Sequence, residues 1–412
     1  MERKRVVVTG VGAITPIGKT GAEFWEGLVS GRNGIRRISL FDPSRHASQI
    51  AGEVDDFDPL LYMEAKEAKR TVRFTQLAIG ASKQALADAH FEITDLNSEQ
   101  VGAIIGTGTG GIDWLEVQDG ILREKGPSRV SPFMVPLFIS NMAAGQTAIL
   151  TGAKGPNSCT VTACAAGANA IGDAFRLIQH GQAQAMICGG TEAAITPLVV
   201  AGFAASRALS CSNVDPGRAC RPFDRDRTGF VIGEGSGILL LEELDHARAR
   251  NARIYAEVVG YAMTCDAYHM TAPSGEGSQR AMRLALKDAG LTPDAVDYIS
   301  AHATSTEVGD TMEVEAIKAV FGAHAPRLAV SAIKSMTGHL LGGAGGIAGA
   351  AAALSVYHDI APPTINLDNP DPACDLDFVP HTARPMPINV AMVNAFGFGG
   401  HNVSLVFKKL VG

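Results

Sequence analysis

Apolar and polar positions along the chain alternate between two kinds of segment. Short β-branched and aliphatic runs lie at Arg5–Thr9, Val101–Ile105, Ala185–Cys188, Gly237–Leu241, Ala256–Val259, Asp297–Ser300, Leu328–Ser331 and Val390–Val393. Several lack polar residues at alternate positions, the pattern of strands buried on both faces. Between them Thr71–Ala89, Cys164–His180, Ser278–Ala289, Thr311–Val320 and Gly346–His358 carry helical patterns. The expected class is a layered α/β fold.

No Pro/Ser linker or charge run divides the chain. The best boundary falls near Asn251-Ala252-Arg253, giving halves 1–251 and 252–412. Each half repeats one order. A strand ending in small residues (Ile105-Gly-Thr-Gly-Thr-Gly-Gly111, then Ile299-Ser-Ala-His-Ala-Thr-Ser-Thr306) is followed by a Gly/Ala-rich helix, beginning near Ala163 and near Gly342. Two related halves could pack these helices back to back, with glycine permitting close approach.

Composition sharpens this picture. There are 46 Gly, and charged residues make up 19% of the chain, so much backbone is expected to be closely packed; disorder is excluded. Three charge-free stretches, 130–153, 335–358 and 385–407, are long enough to span a membrane, yet they hold Pro, Asn, Gln, Ser and Gly. A buried interior is the better reading. The apolar run after Arg5 is just Val6–Val8, too short for a signal-peptide core. A net charge of -7 provides no general basic field for nucleic acid or anionic lipid. Seven cysteines without CxxC spacing fit a reducing cytoplasm.

Candidate chemistry begins at Pro156–Gly167, where an extended segment turns into a helix at Cys164. Helix N-terminal N–H groups favour thiolate there, although position alone leaves nucleophile and core packing equally open. His302 follows a strand, and His339 leads into the second Gly-rich helix with Lys334 five residues before it. Asp310 and Glu313 lie near a helix start, where capping is the default. No HxxxH or clustered Cys/His spacing points to metal. In Asn394-Ala-Phe-Gly-Phe-Gly-Gly-His-Asn402, Gly397 and Gly399 let backbone approach a ligand, and Phe398 could act as a gate or offer an N–H to an oxyanion.

These motifs, with Thr162-Ala-Cys164, His302-Ala-Thr-Ser-Thr306, Lys334-Ser-Met-Thr-Gly-His339, Pro362–Pro370 and Asp375–Pro380, resemble the beta-ketoacyl-[acyl-carrier-protein] synthase II family in order over nearly the whole chain. The resemblance implies a thiolase fold, two similar halves in five α-β-α-β-α layers, and a homodimer. It implies decarboxylative condensation of an acyl chain on Cys164 with malonyl carrier protein. His302 and His339 would stabilise the enolate, and the N–H groups of Cys164 and Phe398 would form an oxyanion hole. Lys334 would fix the charge state of the site, with Glu313 as partner or neighbour. Thr304 and Thr306 would hold the phosphopantetheine arm, which arrives on the carrier protein, so no resident cofactor is expected. Thr109, where the family often has Ile, and Phe203 would line the acyl pocket. Lys66, Lys69, Arg70, Arg129 and Arg207 match the family's docking positions for an acidic carrier protein, while Ser128 departs from them. A polyketide ketosynthase subunit is the main rival. A nicotinamide enzyme is the other, because Gly106-Thr-Gly-Thr-Gly-Gly111 satisfies GxGxxG.

Overall fold

The computed structural model describes residues 3–410. Ten strands form one continuous sheet. The first half contributes β1 (Val6–Ile14), β2 (Val101–Gly106), β3 (Asn157–Ser158), β4 (Ala185–Glu192) and β5 (Gly235–Glu243). The second contributes β6 (Ala256–Cys265), β7 (Tyr298–Ser300), β8 (Ala329–Ser331), β9 (Val390–Gly397) and β10 (His401–Lys408). Their spatial order is β8-β7-β9-β10-β6-β1-β5-β4-β2-β3. Read outward from the centre, each half runs first, fifth, fourth, second, third strand. In both halves the first two pairings are antiparallel and the last two parallel. A short antiparallel pairing of β1 with β6 joins the halves.

Six helices complete the layers: α1 (Arg73–Asp88), α2 (Met142–Thr151), α3 (Ala166–Gln179), α4 (Glu276–Ala289), α5 (Glu307–Phe321) and α6 (Ala344–His358). Helix α1 packs on β1 and β5 from outside, and α4 packs on β6 and β10 on the opposite side. Helices α3 and α6 touch each other and both halves of the sheet, so they form the middle of five layers. The architecture is the α-β-α-β-α arrangement that the resemblance implies.

The central layer explains the glycine content. A Cβ on Gly345 would lie 2.2 Å from the Ala168 backbone nitrogen, and one on Gly167 would lie 2.6 Å from the Gly346 nitrogen. Side chains there would force the two helices apart. For Gly345→Ala, helix propensity favours the variant by about 1 kcal/mol, while overpacking a rigid backbone contact costs about 1–3 kcal/mol. The expected outcome is a lower thermal unfolding midpoint. An unchanged or raised midpoint would show that the helices can separate freely.

The structure places β10 at 401–408, a strand not expected from its pattern. Its polar Ser404 is buried and donates to Asn394 Oδ1 on β9, so the break in apolar character is a paired hydrogen bond and not a turn. The charge-free stretches fall largely in α2, α6, β9 and β10. Among the described residues no helix is long and apolar enough to cross a membrane.

Candidate active site

A cavity of about 520 Å³ opens where loops from both halves converge, and Cys164, His302, His339, Phe203, Thr304, Thr306 and Phe398 all line it. Cys164 occupies a single 3-10 turn, Ala163–Ala165, that runs directly into α3. Ala163 holds φ at +49°, a left-handed conformation that turns the extended chain sharply into the helix. Backbone N–H groups of Cys164 and Phe398 both bear on its sulfur. Residue 397 must be glycine for this approach, because a Cβ would fall 2.7 Å from the Thr162 oxygen and 3.1 Å from the Cys164 nitrogen.

The expectation that the helix terminus favours thiolate is corrected by burial. Desolvation pushes the Cys164 thiol up to about 11, against the lowering influence of Lys334 and the two N–H groups, and the nearby Glu192 charge pushes the same way as burial. At neutral pH the free thiol is protonated and needs a proton acceptor when it attacks.

Two candidate acceptors line the same cavity. The His302 and His339 rings lie 5.5 Å apart at 86°. His302 also packs against Phe396 at 5.6 Å and His339 against Phe230 at 5.4 Å. The His339 backbone is fixed on both sides, its N–H donating to the Val231 carbonyl at 2.7 Å and its own carbonyl accepting from Gly233 at 2.9 Å. Both imidazoles are held well below the usual histidine range, by burial first and then by the Lys334 charge. They are neutral at pH 7, and the Nδ1 of each is buried without a protein partner.

Lys334 is buried, and its ammonium donates to the His302 carbonyl at 2.5 Å. Burial lowers its pKa, while Glu313 acts in opposition as a neighbouring charge. Glu313 itself accepts from the N–H groups of His302 at 2.9 Å and Ala303 at 2.7 Å and from Asn394 Nδ2 at 3.1 Å. Asp310 accepts from the N–H groups of Phe223 at 2.9 Å and Ser305 at 3.1 Å. The two acids therefore do not cap their own helix: both reach back from α5 to hold the 302–305 loop, and Ser305 on that loop sits at φ +68°. Thr304 and Thr306 present hydroxyls 3.1 Å apart along the cavity.

Two of the expected lining residues are not on the wall of this cavity. The Thr109 hydroxyl donates to Glu192 at 2.7 Å. Gly399 also lies off the wall, its N–H donating to the Met270 carbonyl at 2.7 Å. Of the basic residues, Lys66, Lys69, Arg70, Arg129 and Arg207 are all exposed, and Arg207 alone among them lines the cavity. The Gly106–Gly111 turn is not free for a dinucleotide phosphate: Glu192 already takes the N–H groups of Gly108 and Thr109.

Sequence reasoning passed over Glu192 and Arg227. Arg227 lines the cavity wall, and its buried guanidinium donates to the carbonyls of Thr306 at 3.1 Å and Glu307 at 2.8 Å, fixing the threonine loop from beneath. The available signal was a charge amid apolar and glycine residues, as in Gly189-Gly-Thr-Glu192.

Comparison with known proteins bears on this geometry. The profile of the Beta-ketoacyl synthase, N-terminal domain, matches residues 3–247, and that of the Beta-ketoacyl synthase, C-terminal domain, matches 255–368. The chain is 62% identical to a 3-oxoacyl-[acyl-carrier-protein] synthase 2 from Synechocystis sp., covering 99% of each chain. It is 53% identical to the protein of that name from Staphylococcus aureus, again covering 99% of each. A solved type II polyketide ketosynthase, in complex with its acyl carrier protein and bound to a hexaketide, superposes with a TM-score of 0.92 at 35% identity, covering 100% of both chains.

Proposed function

The chain belongs to the beta-ketoacyl synthase family, and from that premise we propose that it is a 3-oxoacyl-[acyl-carrier-protein] synthase, an acyltransferase that elongates fatty acyl chains by two carbons. The observation that carries the reading is one cavity lined together by a cysteine, two neutral histidines and the Phe398 loop, with the backbone N–H groups of Cys164 and Phe398 favouring the thiolate. The full-length similarity to 3-oxoacyl-[acyl-carrier-protein] synthase 2 proteins at 62% and 53% identity supports it. These figures exceed the 35% to the polyketide ketosynthase, so fatty acid synthesis is favoured over polyketide assembly.

In this mechanism the Cys164 sulfur attacks the acyl thioester as its proton passes to a neutral imidazole. The tetrahedral oxyanion is held by the N–H groups of Cys164 and Phe398, each such donor being worth about 3–4 kcal/mol. Carrier thiolate leaves, takes up the proton, and the chain remains as a Cys164 thioester. Malonyl carrier protein then enters with its phosphopantetheine arm along Thr304 and Thr306. Its carboxylate C–C bond breaks, carbon dioxide departs and the electron pair forms an enolate whose oxygen accepts from His302 and His339. The α-carbon attacks the Cys164 thioester, the C–S bond breaks and the thiol is regenerated after protonation. The reaction requires no resident cofactor. We assign the protein to the cytoplasm, working as a homodimer that docks the acidic carrier through Lys66, Lys69, Arg70, Arg129 and Arg207.

The test supplies purified protein with malonyl carrier protein and acyl carrier proteins of graded chain length. The expected result is one carbon dioxide released per 3-oxoacyl product, with rate depending on chain length. Failure to condense any acyl carrier protein would overturn the assignment.

A further inference from the structure

The pairing of the parallel strands β2 and β4 ends with Gly106 opposite Gly190. Glu192, two residues beyond and fully buried, reaches over the loop that follows β2. Five donors converge on its carboxylate. The hydroxyls of Thr107 and Thr109 approach Oε1 at 2.9 and 2.7 Å, and the Thr109 N–H approaches the same oxygen at 3.2 Å. The N–H groups of Gly108 and Gly342 reach Oε2 at 2.8 and 2.9 Å. Three of these are backbone N–H groups that can only donate, so the set favours the carboxylate and opposes the burial that raises the Glu192 pKa. Four donors come from the first half of the chain. The fifth, Gly342, belongs to the second half, three residues after His339 and two before α6 begins.

We propose that Glu192 is a positioning residue that ties the nucleophile half of the site to the histidine half through its buried carboxylate. This inference rests on the reading of the site as a condensing centre. The contact is suited to the task because Gly108 and Gly342 pack backbone to backbone: a Cβ on Gly342 would lie 2.3 Å from the Gly108 nitrogen. Two N–H groups that close would be left unsatisfied without a shared acceptor between them. Thr109 gives the carboxylate both its hydroxyl and its N–H, so residue 109 serves Glu192 with side chain and backbone together. The charge also reaches Cys164, where it opposes thiolate formation.

The test has two readouts on Glu192→Gln. Iodoacetamide alkylation of Cys164 against pH needs no carrier substrate, and removing the negative charge is expected to move its midpoint to lower pH. The condensation kcat is expected to fall at least tenfold, because an amide places an N–H group against donors. A more reactive thiol in a slower enzyme is a split that mere loss of the nucleophile does not produce. An unmoved alkylation midpoint, or a kcat within twofold of wild type, would overturn the proposal. Should Glu192→Gln fail to fold, Thr109→Val is expected to lower kcat about threefold and Thr109→Ser to restore it; equal rates for both would likewise overturn it. If wild type itself does not condense, the functional reading fails, and the alkylation midpoint still decides whether the carboxylate faces the thiol.

Discussion

Cys164→Ala is expected to reduce condensation by at least about 10⁴-fold, since removing a nucleophile that forms a covalent intermediate eliminates the path and not just a fraction of its stabilisation. Six other cysteines cannot substitute. Cys188, Cys220 and Cys374 are buried in packing positions, and none of the six lines the cavity. Mass spectrometry after incubation with acyl carrier protein should show one acyl group on wild type and none on the variant. The loss is expected to be selective. His302 and His339 are held by contacts that do not involve the sulfur: the His339 backbone by Val231 and Gly233, the His302 backbone by Glu313 and Lys334. The variant should therefore still release carbon dioxide from malonyl carrier protein while making no 3-oxoacyl product. Condensation at a rate within tenfold of wild type would remove Cys164 from the mechanism.

That separation reflects how the site is assembled, and it bears on what the sequence disclosed. Cys164, His302 and His339 each follow or precede a buried strand or Gly-rich helix, and such positions were readable because strand ends and helix starts leave distinct composition. The two-half architecture was legible in the same way, from the repeated order of small-residue strand end and Gly/Ala helix. The strand β10 was not, since Asn402 and Ser404 interrupt its apolar pattern and find partners only once β9 and the 266 loop are in place. The thiol's elevated pKa was hidden for a related reason. Local position predicts the helix-terminal effect, whereas burial depends on the assembled fold and the Glu192 charge comes from chain more than twenty residues away. Thr109 shows the same limit: its neighbours in sequence are glycines and threonines, and nothing local reveals a buried carboxylate supplied by the end of β4.

His302→Ala and His339→Ala are each expected to lower decarboxylation of malonyl carrier protein by about 10²–10³-fold, the typical loss of one preorganised donor to a developing oxyanion. The neutral state of both rings gives this prediction a pH signature. Burial and the Lys334 ammonium hold each imidazole well below its ordinary value, so protonation in the folded protein occurs only well below pH 6.5. As pH falls from 8 to 6, wild-type decarboxylation should show no inflection near the usual histidine pKa. Lys334→Met removes the cation that disfavours imidazolium, so the protonation midpoint is expected to rise and an acid limb to move up toward neutral pH. The sign is decisive: a general loss of structure would lower the rate at all pH values, whereas loss of the charge alone shifts the profile. An acid limb centred near 6.5 in the wild type, or one that Lys334→Met leaves in place, would show that the histidines do not work as neutral donors. Each single-histidine variant keeps one neutral imidazole to take the Cys164 proton and keeps the backbone N–H groups of Cys164 and Phe398, so both should still form an acylated Cys164.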